Sequence, residues 1–192
     1  MRGVRTGVLL AGGRSVRMGR DKAFLVWREK PLWWWQGELM RVVGVERLVL
    51  SCRREQGLEE VVGEWAAANG MALEVVFDPE QAEGGMVEAL KLGMRAAGER
   101  ALVLSVDMPE VTRELIEALD AFEGGSLFAG SHGPEPFPGI YTGAMMEVIS
   151  AMGGALRRGL DGCVEGGLAR VVDAPEALRG GLANWNRPGD VK

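Results

Sequence analysis

Short apolar runs alternate with amphipathic stretches along the chain up to Asp107. "TGVLL" (Thr6–Leu10), "RLVLS" (Arg47–Ser51), "LEVVF" (Leu73–Phe77) and "ALVLSV" (Ala101–Val106) are continuous and apolar. Runs of this length and evenness predict strands buried on both faces. Between them the apolar positions recur at helical spacing. Leu32, Trp35, Leu39, Val42 and Val43 form one face. Leu58, Val61, Val62, Trp65 and Ala66 form a second, and Met86, Ala89, Leu90, Gly93, Met94 and Ala97 a third. Strand, helix, strand, helix implies right-handed crossovers and an α/β fold with a mostly parallel central sheet and helices on both faces.

Beyond Asp107 the alternation loosens. "TRELIEALDAF" (Thr112–Phe122) predicts a helix and "SLFAG" (Ser126–Gly130) a strand. "SHGPEPFPGIY" packs three prolines into a short space, which predicts a loop or an edge segment. "TGAMMEVISAM" and "GALRRGLDGC" predict two further helices and "ARVVDA" a last strand. Paired glycines punctuate the element ends. With no repeat or linker, the chain predicts one domain over residues 1–192.

Composition narrows the class. Hydrophobic residues make up 47% and charged residues 26%, which suits a soluble globular protein with a sizeable core. The net charge of −5 argues against nucleic acid as the main partner. No apolar run reaches the length of a membrane span. Arg2 and Arg5 before an apolar run imitate a secretory signal, but the run is short and leads into more arginines, so a first strand and a cytoplasmic location are expected. Cys52 and Cys163 form no CxxC, and His132 is the only histidine, a loop residue without a catalytic task. A structural zinc site lacks ligands, and reduced, packed cysteines are expected. Trp33, Trp34 and Trp35 lie about 100° apart on a helix, so one face cannot hold all three. At least one should be partly exposed, with a bound ring or a subunit contact as the place for the remainder.

Candidate chemistry concentrates just after the first strand, in "AGGRSVRMGRDK". Ligands of parallel α/β sheets bind beyond the carboxyl ends of the strands. Gly12, Gly13 and Gly19 let backbone approach a ligand closely. Arg14, Arg17, Arg20 and Lys22 against Asp21 leave this loop at +3 in an acidic chain, a contrast suited to a polyanion. The loop matches neither a P-loop nor a dinucleotide fingerprint, since Lys22 is followed by Ala23 and G-x-G-x-x-G is absent.

The whole string "LAGGRSVRMGRDK" resembles the signature of the molybdenum cofactor guanylyltransferases, which have a Rossmann-like nucleotidyltransferase fold. "KPLWWW", "FDPEQAEGGMVEAL", "SVDMP" and "NWNRPGD" follow in the family's order and spacing, so the resemblance covers nearly the whole chain. It implies transfer of GMP from GTP to the phosphate of molybdopterin, with release of pyrophosphate and with Mg²⁺ as cofactor. Such a step needs fixed N–H groups, cations and a metal ion against growing negative charge. The resemblance gives Lys22 and Arg17 to the phosphates and Asp107 to catalysis and to Mg²⁺. Leu10, Ala11, Gly12 and Gly13 shape the nucleotide pocket, Asp78 contacts the nucleotide, and Asn184 and Asn186 face the acceptor. Other cofactor-biosynthesis proteins or molybdoenzyme chaperones are implied as partners.

Residues alone leave alternatives at these positions. Asp107 suits Mg²⁺ at a strand tip or an N-cap, although Thr112 serves as that cap equally well. Asp78 before Pro79 suits a turn. Gly12-Gly13 favours GTP over CTP, because glycine leaves room for a purine. Three positions depart from the family pattern: Arg53 stands where Asn is expected, Glu88 where Gly is usual, and Arg187 in place of Thr. Arg53 is expected either to reach a guanine oxygen or to point to solvent, and Glu88 to bring a like charge toward phosphate. A cytidylyltransferase acting on molybdopterin, a sugar-1-phosphate nucleotidyltransferase, and a non-catalytic GTP-binding subunit are the competing functions.

Overall fold

The computed structural model describes residues 3–13, 21–79, 85–153, 155–186 and 188–190. The alternation yields β1 (Thr6–Leu10), a short hairpin of β2 (Val26–Trp27) and β3 (Lys30–Pro31), then α1 (Leu32–Val42) and β4 (Arg47–Cys52). Next come α2 (Leu58–Ala68), β5 (Ala72–Phe77), α3 (Gly85–Ala97), β6 (Arg100–Ser105) and α4 (Arg113–Leu119). The chain closes with β7 (Gly125–Gly130), β8 (Gly133–Thr142), α5 (Gly143–Ala151), α6 (Leu156–Glu165) and β9 (Ala169–Val172). Seven strands form one sheet in the order β5-β4-β1-β6-β8-β7-β9. All neighbours are parallel except the two pairs that β8 makes. The mostly parallel α/β sheet read from the sequence is therefore the observed one.

The first four predicted strands stand within a residue or two of their expected bounds. β1, β4 and β6 are buried throughout most of their length. β5 is a correction: it is the sheet edge and only half-buried, although its sequence reads like the others. Its apolar side chains pack inward on one side while the missing neighbour leaves the other open. A second correction concerns the proline-rich stretch, which is β8, an interior strand of ten residues. Within β8 only Gly139–Thr142 pair with β6. Toward β7 the register shifts, with Gly139 opposite Leu127 but Glu135 opposite Phe128. Pro136 and Pro138 thus fall where no ladder partner is required. The missing N–H of proline costs nothing at such a bulge.

The helices turn slightly from their predicted faces. In α1 the buried set is Leu32, Trp33, Gln36, Gly37, Leu39 and Met40, while Val42 is exposed. Val61 of α2 and Met86 of α3 are likewise exposed. Thr112 caps α4, its Oγ1 accepting from Leu115 N at 3.5 Å, so Asp107 has no capping duty there. Cys52 and Cys163 are buried and not bonded to each other. Among the described residues no helix is long and apolar enough to cross a membrane.

The consecutive tryptophans all find partners within the chain. Trp33 is buried and meets Trp65 edge to face at 6.1 Å. Trp35 meets Trp27 at 5.2 Å and donates from Nε1 to Trp27 O at 2.9 Å. Trp34 is half-buried against Trp35, with Lys30 Nζ over its ring. Trp27 in turn packs on Trp185, 5.5 Å away. The indoles tie the β2–β3 hairpin, α1 and the C-terminal segment into one block. Arg28 and Glu29 both take left-handed backbone angles at the hairpin tip, the two-residue turn whose twist matches paired strands.

Candidate active site

Parallel register brings the carboxyl ends of four strands level. Leu10 lies opposite both Ser51 and Ser105, and Cys52 opposite Phe77. The ladder runs one residue further on each: Ala11 N donates to Ser51 O, Val106 N to Leu10 O and Asp78 N to Cys52 O. The residues that follow, Ala11–Gly13, Arg53, Asp78 and Asp107, therefore share one edge of the sheet. Gly12, Gly13, Arg53, Asp78 and Asp107 line a cleft of about 1160 Å³, together with Lys22, Phe137 and Asn186. Sequence separation of 85 residues between Lys22 and Asp107 is closed by this topology alone.

At one end of the cleft three predicted residues meet. Lys22 Nζ donates to Asp107 Oδ2 and to Asn186 Oδ1, both at 2.8 Å. Asp107 Oδ1 accepts from Ser105 Oγ at 2.6 Å. The Lys22 and Asp107 side chains are 16% and 15% exposed, so the pair is shielded but open to the cleft. Asp107 is held in place from behind. Its carbonyl accepts from Trp185 N at 2.8 Å, and Gln36 Nε2 donates to Met108 O at 2.7 Å. Asn186 N donates to Asp190 Oδ2, which fixes the final turn. Asn184 is exposed and takes no part in the Lys22–Asp107–Asn186 contacts.

At the other end Asp78 Oδ1 accepts from Ser51 Oγ at 2.6 Å. A methyl group on Gly12 would lie 1.6 Å from Asp78 Oδ2, so only glycine fits. The room expected at Gly12 for a purine is thus taken by a carboxylate. At Gly13, which lines the cleft beside Gly12, a methyl group would meet none of the described residues within 4 Å. Leu10 O, Ala11 O, Gly12 O and Gly13 O each accept a hydrogen bond from the protein, from Val106 N, Gln56 Nε2 and, for the last two, Arg53.

Two departures from the family pattern resolve differently than expected. Arg53 neither spans the cleft nor points to solvent. Its guanidinium donates to Gly12 O, Gly13 O, Asp21 Oδ2 and Glu55 Oε1 at 2.6–3.1 Å. Glu88 does not line the cleft. It pairs with Lys91 at 3.5 Å and lines a separate hollow between α3 and α5. Gln36, Ser51 and Gln56 are site residues that the sequence reading missed. Gln36 left one signal, a polar side chain among apolar positions of α1. Arg17, with Arg14, Gly19, Arg20, Arg187 and residues 80–84 of the loop before α3, lies outside the described residues.

Among the described residues no three His, Cys, Asp or Glu gather to hold a metal. Asp107 with Ser105 beside it offers one carboxylate and a hydroxyl. That sparse oxygen set fits Mg²⁺, which keeps several waters and takes phosphate oxygens as further ligands, and does not fit a caged metal.

The comparisons with known proteins agree with this geometry. A family model described as the MobA-like NTP transferase domain matches residues 7–171. A probable molybdenum cofactor guanylyltransferase of Opitutus terrae is 33% identical over 200 residues, covering 96% of this chain and 91% of that protein. A molybdenum cofactor guanylyltransferase of Pseudomonas putida is 30% identical over 187 residues, with 94% and 92% covered. A solved nucleotidyl transferase from Methanothermobacter shares the fold, with a TM-score of 0.76 at 21% identity over 96% of this chain and 93% of that one. The matched span carries Lys22, Asp78 and Asp107, all on the lining of the cleft, and the chain belongs to the MobA-like NTP transferase family.

Proposed function

We propose that the protein transfers GMP from GTP to the phosphate of molybdopterin, as one nucleotidyltransferase domain over residues 1–192 in the cytoplasm. The observation that carries this is the meeting of Lys22, Asp107 and Asn186 at one end of a cleft whose other end holds Asp78. An oxygen of the acceptor phosphate attacks the α-phosphorus of GTP. A new P–O–P bond forms, the bond from the α-phosphorus to the bridging oxygen breaks, and its electron pair leaves with pyrophosphate. Lys22 exchanges its present oxygen partners for phosphate oxygens and meets the charge that grows on them. Arg17 is the second cation proposed for the phosphates. Asp107, steadied by Ser105, would hold Mg²⁺, which when bound supplies charge neutralisation to the phosphates.

Base choice falls to Asp78. Guanine presents two adjacent donors, which call for acceptors. Each carbonyl of Leu10–Gly13 already accepts one protein hydrogen bond, while the Asp78 carboxylate, which accepts from Ser51 Oγ, keeps the larger remaining acceptor capacity, and those backbones shape the base and ribose walls. Asn186, and Asn184 beyond it, stand on the acceptor side. Cofactor-biosynthesis proteins or molybdoenzyme chaperones are the proposed recipients of the product.

Pyrophosphate release from GTP, CTP, ATP and UTP, each with molybdopterin and Mg²⁺, tests the proposal. GTP is expected to lead in kcat/KM by at least about tenfold, since a site built for hydrogen bonds rejects analogues that leave its acceptors unmet. A lead for CTP would overturn guanylyl transfer. A rise in thermal midpoint with GTP but no pyrophosphate from any nucleotide would make the chain a binding subunit.

A further inference from the structure

We propose that Arg53 is a positioning residue for Lys22, acting through Asp21, and that it has no part in choosing the base. The inference rests on the nucleotidyl-transfer reading for its consequence in turnover, but its physical core does not.

Arg53 stands at the carboxyl end of β4, on the wall of the cleft, where a base contact is the obvious duty. Its hydrogen bonds assign it another. Nη1 donates to Gly12 O and Gly13 O, Nη2 to Asp21 Oδ2 and Nε to Glu55 Oε1. The first two acceptors precede residues 14–20 and the third follows them. Asp21 is the link to Lys22. Its Oδ1 accepts from Ala23 N at 3.1 Å and caps the turn Lys22–Phe24, while its Oδ2 accepts from both Arg53 and Gln56. Gln56 closes the ring, donating to Ala11 O and accepting from Arg53 N. Backbone at 11–13, the turn that carries Lys22, and the start of the 53–56 turn are thus tied through one guanidinium, one carboxylate and one amide. The Arg53 and Asp21 side chains are 19% and 20% exposed, so the ring is largely shielded from competing water. A planar guanidinium spans several acceptors in fixed directions, and an ammonium cannot. Misplacing a reacting group by about 1 Å costs on the order of 10²-fold in rate.

Arg53→Lys, Arg53→Asn and Asp21→Asn test the assignment. Asp21→Asn keeps the cap to Ala23 N but turns an amide donor toward Arg53 and Gln56, so both of their bonds to Oδ2 are lost. Each is expected to lower kcat with GTP about 10- to 100-fold, to move KM less than about threefold, and to leave the GTP/CTP ratio of kcat/KM within about twofold. The double variant Arg53→Asn with Asp21→Asn should be no slower than the worse single variant, because both break one link. Without any nucleotide, hydrogen exchange at Ala11–Gly13 and Lys22–Leu25 should quicken at least about tenfold in each variant, with β6 unchanged. A changed GTP/CTP ratio would overturn the proposal in favour of base contact. Unchanged exchange would overturn it outright, even if the parent protein proved to turn over no nucleotide, so the fate of the clamp and the fate of the functional reading separate.

Discussion

Two ion pairs share the cleft and look alike on paper. Lys22–Asp107 spans 2.8 Å and Arg53–Asp21 3.0 Å, and all four side chains are 15–20% exposed. Their surroundings differ. The guanidinium of Arg53 is matched to backbone carbonyls on one side and to carboxylates on the other, so moving it breaks several directed bonds at once. Lys22 is a compact point charge that donates to an aspartate and an amide oxygen, and an ammonium can trade one oxygen for another without changing shape. Under the proposed function the Arg53–Asp21 pair holds and the Lys22–Asp107 pair exchanges. Length and burial do not tell two such pairs apart; the shape of the cation and the direction of its bonds do.

Removing the carboxylate of the exchanging pair is expected to have the largest effect. Asp107→Asn should cut turnover by more than about 10³-fold and abolish its dependence on Mg²⁺, while unfolding free energy stays within about 2 kcal/mol of the parent. Initial rates over a magnesium series, beside a urea titration, would show it; an unchanged metal dependence would put the metal elsewhere. Lys22→Ala should cost on the order of 10²–10³-fold in kcat, about 2.7–4 kcal/mol of activation free energy, again with the fold intact. A folded Lys22→Ala protein at parental rate would erase the distinction between the two pairs.

Between the pairs lies Gly12, whose carbonyl Arg53 holds and whose Cα faces Asp78. Gly12→Ala should push the Asp78 carboxylate off Ser51, weaken GTP binding about tenfold or more, and cost about 1–3 kcal/mol of stability. Gly13→Ala, whose added methyl group would meet none of the described residues within 4 Å, should do less of either. Calorimetric titration of both variants with GTP would sharpen the contrast, and equal losses would remove the special fit at Gly12.

The smallest effect concerns Cys52, the core-facing neighbour of Ser51 and Arg53. Burial, and after it the charges of Glu59 and Asp78, push its thiol from 9.0 up to about 12. Below about pH 9 folded and unfolded chains both keep this proton, and stability is unaffected. As pH rises from 9 toward 12 the unfolded chain releases it while the folded one retains it, so stability falls by up to about 1.4 kcal/mol per pH unit. Cys163, also pushed up by burial, adds to the same slope. Cys52→Ala should therefore flatten the decline without removing it. Urea midpoints at pH 8 and 10.5 for both proteins would check this; identical slopes would show that the thiol already titrates in the folded state.

The sequence by itself determined the class of fold and where its ligand edge lies. Continuous apolar runs of five or six residues between amphipathic stretches leave few structures other than a parallel sheet covered by helices, and the glycine-rich cationic loop necessarily follows the first strand. Lys22 and Asp78 were singled out by the family resemblance, and Asp107 also by its place at a strand tip; the fold sets all three on the lining of one cleft. What only tertiary structure decided depends on contacts between distant segments. β5 and β4 have similar sequences, but neighbours on one side or on both make one an edge and the other a core strand. The prolines of β8 read as breakers until the register shift against β7 places them where no N–H is wanted. Arg53 could be noticed by its position but not read, because a long side chain with five donors takes its role from whichever acceptors folding brings within reach, and those belong to residues 12, 13 and 21.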